Sequence, residues 1–355
     1  MTSSTEKLLL IGVGGAGAAL AARIAAAYGR EMRVLVVDTD RDAAIEGREF
    51  LLCVATRFSG RGTGGDTASA RAAFQDNPAV IDPFLDGVRT AVVVTCLGGG
   101  AGWGLAAEIL VRLRGHGITS LAIATTPFAF EGQQRIQRAR TDSGTIAQLA
   151  DTSAILPLDQ LAASQESTLK DAIFRDAMES VAAGATLLWR MAATPGYIAL
   201  DPERLRKILS GGARAQFAYA AAEGADRIRA VADALAGAPG VKNASRAREY
   251  FIGVLAGDDL RLAEIASLTG ALAMTLGQDV PYSLATVNDE EEFSGKVAAV
   301  LLVFEELSRG HARKPGRQDA AFAGSDRFAA TGATIVDGEN LDIPTFMRRN
   351  LTLEI

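Results

Sequence analysis

Short apolar runs alternate with longer amphipathic stretches through the first half of the chain. Leu8 to Val13, Val34 to Val37, Val92 to Thr95 and Ser120 to Thr125 are each too short for a stable helix, and they show little strand-type alternation. That is the pattern of strands buried on both faces. Between them, Ala18 to Ala27, Thr67 to Phe74 and Leu105 to Leu113 carry helical spacing. Strand and helix in alternation predict an α/β fold with a doubly wound, Rossmann-like parallel sheet. Three junctions are glycine loops: Gly12-Val-Gly-Gly-Ala-Gly17, Gly60-Arg-Gly-Thr-Gly-Gly-Asp66 and Gly98-Gly-Gly-Ala-Gly-Trp-Gly104. A fourth is Thr126-Pro-Phe-Ala-Phe-Glu-Gly132. In such a sheet these junctions fall on one edge, where ligands bind.

The second half changes character. Ser167 to Met191 is one long helical pattern, Asp201 to Leu209 begins another helix, and Ser210-Gly-Gly212 breaks it. Ala215 to Tyr219, Tyr250 to Leu255, Ser283 to Val287 and Val297 to Phe304 read as strands of a smaller sheet, with helices over Asp226 to Leu235 and Leu260 to Leu276. Arg309 to Val336 turns polar and aperiodic, the signature of a linker without a core. The expected organisation is a nucleotide-binding domain over 1–168, a central helix over 169–195, and a smaller α+β domain over 196–308. A disordered linker over 309–339 and a terminal peptide over 340–355 follow.

Composition narrows the functional classes. With 355 residues, 48% of them hydrophobic, the chain can bury a large core. A net charge of −6 argues against a nucleic-acid binder. Cys53 and Cys96 are the only cysteines, which excludes a disulfide framework and a zinc site. No apolar run approaches membrane-spanning length and Met1 to Lys7 has no signal-peptide character, so a cytoplasmic location is expected, with no metal centre and no direct membrane insertion. His116 and His311 sit in polar surroundings and are assigned no chemistry.

The glycine loops carry the candidate chemistry. A backbone that curls around phosphate needs φ > 0 and bare N–H groups near the anion, and a following helix adds the positive end of its dipole. Gly12, Gly14 and Gly17 with Asp38 also have the spacing of a dinucleotide fingerprint, so a nicotinamide dehydrogenase is a rival, although no proton-relay histidine accompanies it. Three glycine loops favour a longer polyphosphate.

The motifs together resemble the FtsZ branch of the tubulin/FtsZ family. The residues that carry the likeness are Ile11 to Gly17, Gly98 to Gly104, Pro127-Phe-Ala-Phe-Glu-Gly132 with Arg135, Pro195-Gly196 with Asp201, Gly253 to Leu262, and Leu341-Asp-Ile-Pro-Thr-Phe-Met-Arg-Arg349. The resemblance implies a tubulin/FtsZ fold, binding of GTP or GDP with Mg2+ as a further candidate, and head-to-tail filaments acting at the bacterial division site. A neighbouring subunit would complete GTP hydrolysis. It carries over Gly14, Gly15, Gly98, Gly99, Gly100 and Gly102 as phosphate donors, Glu131 and Arg135 near ribose and phosphates, and Phe174 against the base. Asp201, with Glu203 nearby, takes the place of the acidic residues that polarise the attacking water. Ile343, Pro344, Phe346 and Met347 match the peptide that tethers filaments to membrane-anchoring and regulatory division proteins.

Departures from the pattern cluster on the nucleotide. Ala101 and Trp103 stand where the family has hydroxyls, and Trp103 is bulky enough to occupy phosphate space. Ala19, Leu158 and Met178 replace polar residues that hold guanosine. Arg204 falls on the second acidic position, and Glu203 is one residue away, about 100° around a helix. Slow hydrolysis and weak guanine selectivity are therefore expected. The alternative is a structural paralogue that polymerises or copolymerises without turnover. Asp66 is read chiefly as a helix cap, and Asp38 and Asp40 as turn residues.

Overall fold

The structure is a computed structural model that describes residues 8–28, 32–53, 60–161, 177–194, 196–210, 213–242, 244, 247–305, 335–336 and 339–340. It forms two compact units, 1–312 and 313–355. The first unit is built on one ten-stranded sheet of order β3-β2-β1-β4-β5-β6-β7-β10-β8-β9. Its strands are β1 (Leu8–Val13), β2 (Val34–Asp38), β3 (Glu49–Leu52), β4 (Thr90–Cys96), β5 (Thr119–Thr126), β6 (Thr152–Pro157), β7 (Ala213–Glu223), β8 (Ala247–Ala256), β9 (Tyr282–Asn288) and β10 (Lys296–Glu305). β1 to β7 pair in parallel, whereas β10 runs antiparallel to both β7 and β8.

The smaller sheet expected in the second half is not separate. Thr152 to Ala154 of β6 pair with Ala213 to Ala215 of β7, which joins the two halves through three residue pairs. β7 reaches this position because it begins at Ala213, ahead of the apolar core of its pattern.

Alternation along the buried strands divides the core. Leu9, Ile11 and Val13 of β1 enter one apolar cluster, with Phe74, Ile81 and Leu110, while Leu8 and Leu10 enter another, with Ile24, Val181 and Leu188. β10 does the same, Ala298, Val300, Leu302 and Phe304 joining that second cluster and Val297, Ala299, Leu301 and Val303 a third. A continuous apolar run is thus a strand covered on both faces.

The principal helices are α1 (Gly14–Tyr28), α2 (Thr67–Gln75), α3 (Ala101–Gly115), α4 (Gln133–Leu149), α5 (Ala177–Ala193), α6 (Pro202–Leu209), α7 (Arg227–Gly237) and α8 (Leu262–Leu276). α5 is the described part of the expected central helix. It packs on α1 and is tied to the end of β9 by Arg190–Asp289 at 2.9 Å. Among the described residues no helix is long and apolar enough to cross a membrane.

In the second unit, Ile335–Val336 pairs antiparallel with Glu339–Asn340, so the stretch expected to be wholly aperiodic contains a short ladder. A β-branched pair ahead of the dipeptide Asp337-Gly338 is a hairpin sequence. Ile343, Pro344, Phe346 and Met347 lie outside the described residues.

Candidate functional site

Four strand-to-helix junctions gather at the C-terminal edge of the parallel strands, and the glycines of three of them interlock. Gly14, at φ 74°, lies so close to the loop after β4 that an added Cβ would stand 2.6 Å from Cα of Gly102 and 2.7 Å from its nitrogen. A Cβ on Gly100 would meet Thr63 Oγ1 at 2.7 Å and the nitrogen of Asp66 at 2.8 Å, in the loop before α2. A Cβ on Gly98, at φ 78°, would lie 2.5 Å from the carbonyl oxygen of Arg135 in α4. The three loops and α4 therefore touch backbone to backbone, which only glycine permits. α3 starts at Ala101 with no side-chain cap, leaving its first N–H groups as an anion-seeking helix terminus beside Gly14.

Side chains complete this rim. Arg135 pairs with Glu131 at 2.6 Å, Glu131 also accepts the Phe128 N–H at 2.9 Å, and Arg135 Nη2 stands 3.9 Å from where a Cβ of Gly99 would be. Both charged groups are thus at the loop, already engaged with one another. Thr67 donates to the Gly99 carbonyl at 3.4 Å, and the buried Thr63 hydroxyl has no partner among the described residues. Asp66 accepts from the Ala68 N–H at 3.0 Å and the Ser69 hydroxyl at 2.6 Å, and so caps α2. Asp38 accepts from the N–H groups of Thr39 and Asp40 and orders that turn, its carboxyl held above the usual range by burial.

Two expectations need correction. Trp103 does not enter the phosphate space: it is 5% exposed and sits in the apolar cluster with Phe74, Ile81 and Leu110, because its position on α3 faces the core. The Gly98 N–H does not face the rim either. It donates to Asp142 Oδ2 of α4 at 3.3 Å, so in this structure Gly98 shapes the cradle with its N–H already engaged. Asp142 is a buried residue of α4 whose carboxyl is pushed up to about 6, burial outweighing the Gly98 N–H and the nearby Arg138 and Arg71.

The base-side positions offer little polarity. Leu158 and Met178 are both buried in the cluster beneath α1 and α5, and Ala19 is exposed on α1. Phe174 lies outside the described residues.

Asp201 and Glu203 are elsewhere. Asp201 caps α6 by accepting the Glu203 N–H at 3.0 Å, Glu203 pairs with Arg206, and Arg204 donates to the Ser283 hydroxyl at 2.9 Å. The last turn of α6 docks on the starts of β5 and β6, through Ser210 to Thr119 at 3.4 Å and Thr152 to the Leu209 carbonyl at 2.6 Å. The glycine loops follow the ends of these parallel strands, and β5, with eight residues, is about 23 Å long. α6 and the cradle belong to opposite edges of the sheet.

With this geometry in view, residues 7–165 match the model for the Tubulin/FtsZ family, GTPase domain. Those residues carry a tubulin/FtsZ-type GTPase domain, and beyond them the chain is similar to FtsZ proteins at modest identity. It is 29% identical to the cell division protein FtsZ of Magnetospirillum gryphiswaldense over 73% of this chain, though only 47% of that protein's length is matched. It is 25% identical to FtsZ of Pseudomonas aeruginosa over 98% of this chain and 97% of that one. An empty FtsZ dimer from M. jannaschii superposes with a TM-score of 0.77 at 21% identity, covering 84% of this chain and 88% of that one. CetZ2 of Haloferax volcanii, a GTPγS-bound protofilament, gives 0.70 at 24%, covering 86% and 95%. These two likenesses fix the tubulin/FtsZ fold.

Thr63 and Asp142 were not singled out by sequence reasoning. Asp142 leaves a faint signal: Ala139, Asp142 and Ile146 are the buried positions of α4, so a carboxylate interrupts an apolar stripe.

Proposed function

We propose that this FtsZ-like chain holds a nucleotide chiefly by its phosphates and assembles head to tail into filaments that act in cell division, with slow hydrolysis. One observation carries the reading: the glycine cradle and the helix capped by Asp201 occupy opposite edges of one parallel sheet. A single chain cannot bring them together, whereas a second copy stacked on the first can. The phosphate end of GTP or GDP fits this chain, since the start of α3, without a side-chain cap, lies beside Gly14 and the Trp103 indole is turned into the core. The guanine end fits less well, because Leu158 and Met178 present no polar group to a base edge. GTP, when bound, supplies the leaving phosphate. Arg135 at the loop would balance its charge, while Asp201 and Glu203 of the next subunit would orient water. Mg2+ would be held largely by the phosphates. Among the described residues no cluster of three or more His, Cys, Asp or Glu is placed to hold a metal ion. The peptide over 343–347 is proposed to dock on a division partner.

The engagement of Glu203 with Arg206 and of Arg204 with Ser283 favours a second reading, a paralogue that copolymerises without turnover. Nucleotide content of the purified protein, followed by sedimentation with and without GTP, separates the two. Bound guanine nucleotide with GTP-dependent pelleting supports the first, and pelleting regardless of nucleotide supports the second. Bound NAD would overturn both.

A further inference from the structure

Asp142 is a buried carboxylate of α4 that accepts a hydrogen bond from the loop that would hold the phosphates. It is 8% exposed and accepts the Gly98 N–H at 3.3 Å, and the contact is fixed by close packing. A Cβ at Gly98 would lie 2.5 Å from the Arg135 carbonyl oxygen and 3.3 Å from Ala139 Cβ, so the loop lies directly against the backbone of α4. The charges facing this carboxyl come from three elements. Arg138 lies on α4 itself, and Arg71 reaches across from α2 with its partner Glu108 of α3 at 3.0 Å. Arg135 and Glu131 neutralise each other at the rim.

We infer that Asp142, bonded to the loop at Gly98, sets the charge of the phosphate cradle: its ionised form weakens polyphosphate binding, and binding draws a proton from solvent onto its carboxylate. The inference rests on the nucleotide-binding reading given above. A polyphosphate on this loop and an ionised Asp142 bonded to the same loop are like charges close to one another, so each disfavours the other. By linkage, the phosphate raises the affinity of Asp142 for a proton as much as the proton raises the affinity of the cradle for phosphate. The neutral carboxyl keeps a carbonyl oxygen for the Gly98 N–H, so the loop retains its shape while losing the repulsion. The group already titrates close to neutrality, at about 6, which places the switch within reach of a physiological pH change. Asp142→Asn mimics the neutral form, with an acceptor and no charge.

The test is calorimetric titration of the full-length protein with GDP and with inorganic tripolyphosphate, which reports the cradle without the base. Wild type and Asp142→Asn are compared between about pH 5 and about pH 8, each in two buffers of different ionisation enthalpy. Near the alkaline limit the Asn variant should bind both probes roughly tenfold more tightly than wild type, the equivalent of one pKa unit of coupling. The two should converge near the acid limit. Wild type should take up a proton beyond what the probe's own phosphates require, with a maximum above the free carboxyl's titration point, and the variant should not. Should Asp142→Asn fail to fold, proton uptake in the wild type alone decides: none beyond the probe's own overturns the inference. Equal pH dependence in both proteins overturns it while leaving nucleotide binding intact. No binding of either probe at any pH overturns both.

Discussion

The two edges of the parallel sheet are built from different materials. At the glycine edge the groups offered to a ligand are peptide N–H groups, held by contacts such as Gly14 on Gly102 and Gly100 on the loop of Thr63. At the opposite edge the groups are side chains, Asp201, Glu203 and Arg204, each already committed to a cap or a partner. A backbone site survives sequence drift as long as its glycines do, whereas a side-chain site is altered by one substitution. In this chain the interlocked loops stand complete while an arginine lies beside the candidate acid.

The most severe way to break this contrast is Gly14→Ala. The new methyl would meet backbone at 2.6 Å in a left-handed conformation, so we expect a loss of about 3 kcal/mol or more in unfolding free energy and at least roughly 100-fold in tripolyphosphate affinity. Gly15→Ala, whose Cβ would have only Asp38 Oδ2 within 4 Å, at 3.9 Å, should change affinity less than about twofold. Equal effects from the two would remove the interlocked cradle.

Asp142 sharpens the glycine edge further. Its folded carboxyl titrates at about 6 against 3.8 for the free group, so between these values the folded chain holds more protons than the unfolded one. Stability therefore falls as pH rises through that window, by about 3 kcal/mol at 1.36 kcal/mol per unit. Urea unfolding should show Asp142→Asn more stable than wild type at about pH 7 by up to this amount, and the advantage should vanish below about pH 4.

Changing both edges at once, Ala101→Thr at the glycine loop combined with Arg204→Asp at the opposite edge should raise GTP turnover by about tenfold in a phosphate-release assay. An unchanged rate would show that these groups do not limit the reaction. The smallest effect expected is on the cap. Asp201→Ala should cost about 1 kcal/mol of thermal stability, and Asp201→Ser, which keeps a capping oxygen, little. If Asp201→Ser also leaves residual hydrolysis untouched, Asp201 is a cap alone.

Strands of the parallel half were legible because burial on both faces leaves an unbroken apolar run: Leu8–Val13 emerges with the bounds its sequence suggests. β3 and β6 were not expected. Glu49–Leu52 is a half-exposed edge strand, and Thr152–Pro157 hides behind its Thr-Ser start, whose polar groups are buried in the sheet. α1 begins at Gly14, four residues before its apolar pattern does, since helix geometry can start within the glycine loop once neighbouring backbone confines it. In the site, glycine spacing foretold the gathering of loops, because close approach is a property of the missing Cβ. Which way the Gly98 N–H and the Trp103 indole turn is decided by packing against α4 and the core, which no local pattern encodes.

That indole has a practical consequence. Trp103 and Trp189 are the only two tryptophans in the chain, and Trp103 lies in the first turn of the helix whose N–H groups border the cradle. Replacing Trp189 with phenylalanine would leave a single tryptophan, selectively excitable above the tyrosine band, shielded from quenchers and one residue from the rim. Loading of the cradle could then be followed in real time by its emission, without dye or label.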